Sequence, residues 1–166
     1  MARKVFYSFH YHPDNVRAAQ VRNMGVIEGN AVATDNEWES VTNGGEAAIK
    51  RWIDSQLEGK SCAVVLVGAD TARRKWIDYE IKTAWNAGKG VVGVHIHRLR
   101  DFAGLQSKQG ANPFAHFSMD RDGSSLSSIV RCYNPPFTDS RQCYAFIEAN
   151  LATWIEEAVS IRENYG

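Results

Sequence analysis

The sequence predicts an α/β fold in which a mainly parallel sheet carries helices on both faces. Three observations predict it. Two continuous apolar runs, residues 61–67 and 90–97, have the length and β-branched content of strands buried on both sides. Stretches with helical apolar spacing lie between the strand-like runs, and such alternation is what a parallel sheet requires of its connections. A chain of 166 residues with 44% apolar content suits one domain, 1–166, with a sizeable core.

Residues 4–9 alternate Val5, Tyr7 and Phe9 against Phe6 and Ser8, so they form the first strand, a central one. His10 to Asp14 reads as a loop leading into a helix over 16–24, which Gly25 stops. Val26-Ile27 and Ala31-Val32-Ala33 give a short edge strand. Residues 34–45 are a polar loop with one conspicuous aromatic, Trp38. Ile49, Trp52, Ile53 and Leu57 line one face of a helix over 46–57. The strand at 61–67 turns through Gly68-Ala69-Asp70-Thr71 into a helix over 73–86, and the strand at 90–97 follows. Residues 98–128 carry no clear period, which points to short helical turns and an insertion rather than one long loop. The last strand falls at 128–133 and Asn134-Pro135-Pro136 breaks it. Asp139 or Ser140 then caps a long helix with Cys143, Ile147, Leu151, Trp154, Ala158 and Ile161 at core spacing.

Charge excludes several classes of function. Lys plus Arg and Asp plus Glu both number 19, so the chain lacks the basic footprint of a nucleic-acid binder or of an anionic membrane surface. No apolar run approaches a membrane span, and the N-terminus enters a strand-like run rather than a signal-peptide core. Cys62, Cys132 and Cys143 are odd in number and lack CxxC spacing. Reduced, buried thiols in a cytoplasmic protein are the expectation.

Chemistry in such a sheet collects outside the carboxyl ends of the strands. Here that edge gathers Phe9 to His12, the loop from Asp35 to Gly45, residues 68–71 and the chain after His97. There is no GxGxxG fingerprint, no GxxxxGK[ST] loop, no aspartate ending the third strand and no GxSxG elbow. His10 and His12, like His95 and His97, have the spacing that puts two rings on one face of a strand. No carboxylate or thiol partners accompany them at ligand spacing, so they read as lining a polar edge and no metal site is expected. Trp52, Trp85 and Trp154 fall on core stripes. Trp38 does not, and either a ligand or a partner chain would give it a use. The helix over 73–86 poses the sharpest question. Glu80 lies one turn after Trp76, with Ile77, Ile81, Ala84 and Trp85 read as the opposite, core-facing stripe. Glu80 is then either a solvated glutamate pairing with Lys75 or Lys82, or a reacting carboxylate.

Two segments resemble TIR domains. Val5-Phe6-Tyr7-Ser8-Phe9-His10 is similar to their first-strand motif of apolar, Phe, apolar, Ser, aromatic, and basic or polar. Lys75-Trp76-Ile77-Asp78-Tyr79-Glu80-Ile81, with Ala84 and then Gly88-Lys89-Gly90-Val91-Val92, resembles the Trp-x-x-x-Glu helix and following strand of the enzymatic members. With Gln20-Val21-Arg22-Asn23-Met24-Gly25 and the neutral charge, the chain looks most like the bacterial group that includes the TIR protein of the Thoeris antiphage system. The likeness covers residues 4–97 and departs at Tyr11, often basic in the enzymes, and in the loop from Asp35 to Gly45.

The resemblance implies a flavodoxin-like fold with a five-stranded sheet of order 2-1-3-4-5. It implies cleavage of NAD at the nicotinamide–ribose bond, with a cyclic ADP-ribose isomer as a messenger to a separate effector. NAD is substrate in that chemistry, and no further cofactor is implied. Glu80 matches the catalytic glutamate. Ser8, Phe9, His10 and Trp76 match the pocket, and Asp35 and Trp38 belong to the loop expected to complete it. Breaking the bond builds oxocarbenium character on the ribose while nicotinamide leaves neutral, so one carboxylate suffices. TIR chains also self-assemble, and a non-catalytic assembly module is the alternative. A metal-dependent or other nucleotide hydrolase is a third class.

Overall fold

The computed structural model describes residues 4–24, 45–119 and 122–165, with the backbone alone at Tyr11 and His12. Its elements follow the order β1 (Val5–Ser8), α1 (Tyr11–Arg22), α2 (Gly45–Leu57), β2 (Cys62–Val67), α3 (Lys75–Asn86), β3 (Gly90–His95), a 3-10 turn (Leu126–Ser128), β4 (Cys132–Tyr133) and α4 (Ser140–Tyr165). The four strands form one parallel sheet in the order β1-β2-β3-β4. The expected edge strand at 26–33 and the loop with Asp35 and Trp38 lie outside the described residues.

Alternation along the strands sorts the core into two layers. Val5, Tyr7 and Phe9 point to one face, where Ala18 and Val21 of α1 and Ile147, Leu151 and Trp154 of α4 cover them. Phe6 points to the other face, against Ile49 and Ile53 of α2 and Ile77 and Ile81 of α3. Every residue of β2 and β3 is buried, as the two apolar runs require. On α4 the core positions Cys143, Ile147, Leu151, Trp154 and Ala158 are buried, whereas Ile161 is only partly so. The Asp139 carboxylate accepts from Gln142 N at 3.1 Å and so supplies the cap. All three cysteines are free thiols.

Several sequence expectations need correction. Helix α1 starts at Tyr11, not near Val16, because Pro13 falls in its first turn, where the missing N–H has no helical acceptor to lose. The strand expected over 90–97 ends at His95, and Ile96 N then bonds Val67 O as the chain leaves the sheet. The last strand shrinks to Cys132–Tyr133, since the 3-10 turn takes residues 126–128. The helix expected from Arg73 starts at Lys75, after Arg73 takes a left-handed φ of 68° that redirects the chain.

Candidate active site

Ser8 is the last residue of β1 and pairs with Val65 of β2. It lies two residues after Phe6, so it faces the α2–α3 layer at the carboxyl end of the sheet. Glu80 comes to meet it from the second turn of α3, and the Ser8 hydroxyl donates a short hydrogen bond to Glu80 Oε1. Both side chains are buried, at 1% and 2% exposure.

That placement revises the reading of α3. Glu80 does not oppose the core stripe: it belongs to the buried set with Ile77, Ile81, Ala84 and Trp85. Three residues at about 100° each bring Glu80 back to roughly 60° from Ile77, inside the core-facing arc. The solvated-glutamate reading fails with it. Lys75 pairs with Glu46, and Lys82 is exposed. A carboxylate taken out of water in this way needs donors to compensate, and the Ser8 hydroxyl is one.

The other candidate residues are placed unequally. Trp76 is half-buried one turn before Glu80, edge-on to Tyr79 at 5.8 Å, with the Lys75 ammonium 5.1 Å from its ring centre. His10 is half-buried and forms the N-cap of α1, its carbonyl accepting from Asp14 N at 3.1 Å. Phe9 is not brought to Glu80. Its ring is 2% exposed on the opposite face of the sheet, with the Arg22 guanidinium 5.5 Å from its centre. Among the described residues no group of three or more His, Cys, Asp or Glu converges to hold a metal, and no helix is long and apolar enough to cross a membrane.

The structure buries a further set of polar groups at the same end of the sheet: Asp14, Arg17, Thr71, His95 and His97, none above 6% exposure, of which sequence reading missed Asp14 and Arg17. Thr71 Oγ1 accepts from Gly68 N at 2.8 Å and closes the turn after β2. Asp14 and Arg17 form an ion pair at 3.0 Å, and their i, i+3 spacing was the available signal. The rings of His95 and His97 meet edge-on at 5.7 Å, as their spacing suggested. Both Nδ1 atoms are buried without a hydrogen-bond partner among the described residues. A separate cavity of about 550 Å³ lies along the second half of α3, lined in part by Trp85, Phe117, Met119 and Tyr165. It includes none of the candidate residues.

Residues 6–101 match the family model described as Thoeris protein ThsB, TIR-like domain. The chain belongs to this family. A protein of Bacillus cereus (strain MSX-D12) named "Putative cyclic ADP-D-ribose synthase ThsB1" is 34% identical over 133 residues, which is 76% of this chain and 69% of that one. The span matching the ThsB TIR-like model contains both Ser8 and Glu80, and also Asp14, Arg17, His95 and His97. The irregular segment after residue 101 lies outside it.

One pH response of this TIR-like domain follows from its buried imidazoles. Burial, with His95, Arg98 and Arg17 nearby, pushes His97 down to about 4. Burial lowers His95 as well. The unfolded chain takes a proton near 6.5, while the folded one resists until about 4. Stability from the neutral ring is therefore complete above the unfolded value and is lost as pH falls between the two, by up to roughly 3 kcal/mol. Asp14 acts in the opposite sense: burial raises its carboxyl, so its protonation favours the folded state as pH falls. The expected result is a melting temperature that declines from about pH 6.5 towards 4, and declines less in His97→Gln. Parallel declines in thermal melts of the two proteins would remove His97 from this account.

Proposed function

We infer that this chain is a TIR enzyme that cleaves NAD at the nicotinamide–ribose bond and releases a cyclic ADP-ribose isomer as a second messenger in antiphage defence. One observation carries the reading: in a ThsB-family chain, Glu80 is buried against the Ser8 hydroxyl at the ligand-binding end of the sheet. A module that served only for assembly would have no use for a carboxylate held out of water at that place. The name of the Bacillus cereus relative, a cyclic ADP-D-ribose synthase, agrees with the product class.

In this mechanism Ser8 is a positioning residue. Its hydroxyl holds Oε1 of the Glu80 carboxylate. The carboxylate lies beside the ribose as the C1′–N bond breaks, and the electron pair leaves with neutral nicotinamide. Negative charge fixed in a dry site is most effective where positive charge develops, here on the ribose ring. A hydroxyl of the adenosine half then attacks C1′, losing its proton to Glu80, and closes the ring. Water in its place gives linear ADP-ribose, so the pocket must fold the substrate and exclude solvent. Trp76 and His10 border the substrate, and Asp35 and Trp38 complete the pocket from the loop after the edge strand. Phe9 supports the turn before α1 from the core side. NAD is consumed, and no other cofactor takes part.

In the same reading, residues 26–33 lie beside β1 and give a five-stranded order 2-1-3-4-5. The chain is one cytoplasmic domain that self-assembles, and it reaches its effector only through the nucleotide.

Mass spectrometry of small molecules from phage-challenged cells tests the reading. Cells expressing this chain should lose NAD and accumulate nicotinamide with an ADP-ribose isomer. Unchanged NAD and no isomer, with the protein present, would overturn it.

A further inference from the structure

The Asp14–Arg17 pair takes no part in that chemistry, yet among the described residues it is heavily bonded at this end of the sheet. Arg17 is 3% exposed. Its Nε donates to Leu99 O at 2.8 Å and its Nη2 to Leu105 O at 2.8 Å. Its Nη1 donates to Pro13 O at 3.2 Å and to Asp14 Oδ1 at 3.0 Å, and Asp101 Oδ2 lies 3.6 Å from Nη2. One guanidinium thus ties the first turn of α1 to the segment that leaves β3. The planar fork suits this task, because one rigid group addresses several carbonyls at once.

Two glycines extend the clamp. A Cβ on Gly68, just past β2, would lie 2.0 Å from Asp14 Oδ2. A Cβ on Gly110 would lie 2.1 Å from Gly68 O. The first turn of α1 and the loops after β2 and β3 are therefore stacked on one another without room for a methyl group. Stability alone does not account for this construction. A buried ion pair seldom exceeds an apolar pair of the same shape in stability. Asp14 Oδ2 has no hydrogen-bond partner among the described residues, and burial raises the carboxyl despite Arg17. What the pair supplies is a fixed relation between the first turn of α1 and the loops after β2 and β3, and that turn is capped by His10, which follows Ser8-Phe9 at the end of β1.

We propose that Arg17 is a specificity-determining residue: by clamping the first turn of α1 to the loop after β3 it keeps water from the ribose and favours cyclic over linear product. The inference rests on the NAD-cleaving reading above. Both products arise after the same C1′–N bond breaks. They differ only in whether an adenosine hydroxyl or water forms the new C1′–O bond and gives up a proton. A loosened rim admits water and leaves the substrate less tightly folded, so the partition shifts.

The test is the cyclic-to-linear product ratio in challenged cells expressing wild type, Arg17→Lys or Asp101→Asn. The ratio is a property of each turnover, so a fall in folded protein does not move it. Lysine keeps the charge but cannot reach three carbonyls, and the ratio should fall at least roughly threefold. Asp101→Asn keeps the acceptor for Ala103 N and Leu105 N and weakens one anchor of Arg17, so it should shift the ratio the same way by less. If Arg17→Lys does not accumulate, Asp101→Asn alone decides. An unchanged ratio in every variant that turns over NAD overturns the proposal and leaves the enzyme reading standing. Absence of both products from wild type overturns the enzyme reading itself.

Discussion

Glu80→Gln is expected to abolish NAD cleavage while leaving the fold in place. Glutamine has the shape of glutamate, and its Oε1 can still accept from the Ser8 hydroxyl. The substitution also removes the cost of holding a charge at 2% exposure, though the new amide N–H2 must find acceptors. These effects oppose each other, so stability should change by only about 1 kcal/mol, or a few degrees in melting temperature. Turnover has no such compensation. The negative charge opposite the developing oxocarbenium is gone, and loss of a preorganised electrostatic contact of this kind costs on the order of a thousandfold. Glu80→Asp keeps the charge but withdraws it by one methylene, so it should lose about a hundredfold through geometry alone. Nicotinamide release, measured beside thermal melts, checks both. A glutamine variant that melts like wild type and keeps a tenth of its NAD turnover would end the case for Glu80 as the reacting carboxylate.

Much of the fold was legible because its strongest signals come from burial on both sides. The runs that became β2 and β3 could hardly be anything but interior strands, and the spacing of Cys143, Ile147, Leu151 and Trp154 located α4. What failed was short or shared its residues with a competing structure. Pro13 reads as a loop until the first turn of α1 is seen to accept it. Strand β4 pairs only Cys132 and Tyr133 with Gly93 and Val94, too little for a periodic signal. The site was legible in a different way. Glu80 and Ser8 stood out through resemblance, but their contact needed two periods at once. The two-residue period of β1 turns Ser8 to the same side as Phe6, and the 3.6-residue period of α3 turns Glu80 inward. The sequence reading set Glu80 against the core stripe and so missed its burial. The burial of Asp14 and Arg17 was illegible for a further reason: beyond their i, i+3 spacing, charged residues near a helix start are ordinarily solvated, and only the carbonyls of Leu99 and Leu105, more than 80 positions away, make Arg17 a buried clamp.

A single methyl group at Gly90 is expected to cost the fold substantial stability. This residue opens β3 and lies directly beneath α4. A Cβ there would stand 2.8 Å from Ala158 C and 2.8 Å from Val159 N, both backbone atoms of a long helix. No rotamer change can relieve that overlap, so α4 must move off the sheet, and Ile155, Ala158 and Val159 lose part of their packing with it. Alanine in place of glycine gains a little by restricting the unfolded chain, about 0.4–1 kcal/mol, which is smaller than the overpacking cost. Gly90→Ala should therefore destabilise by about 2–3 kcal/mol and lower the melting temperature by roughly 4–12 °C. Gly93→Ala is the informative comparison. Its Cβ would meet Cys132 Sγ at 2.8 Å and Phe114 Cε2 at 2.9 Å, the same crowding but against side-chain atoms that can yield. It should cost less than Gly90→Ala. Thermal or urea denaturation of the two variants measures the order, and the reverse order would mean that α4 is not seated on β3 through Gly90. Because α4 covers the face opposite Glu80, Gly90→Ala should also lower the amount of folded enzyme while leaving the turnover of each folded molecule near that of wild type.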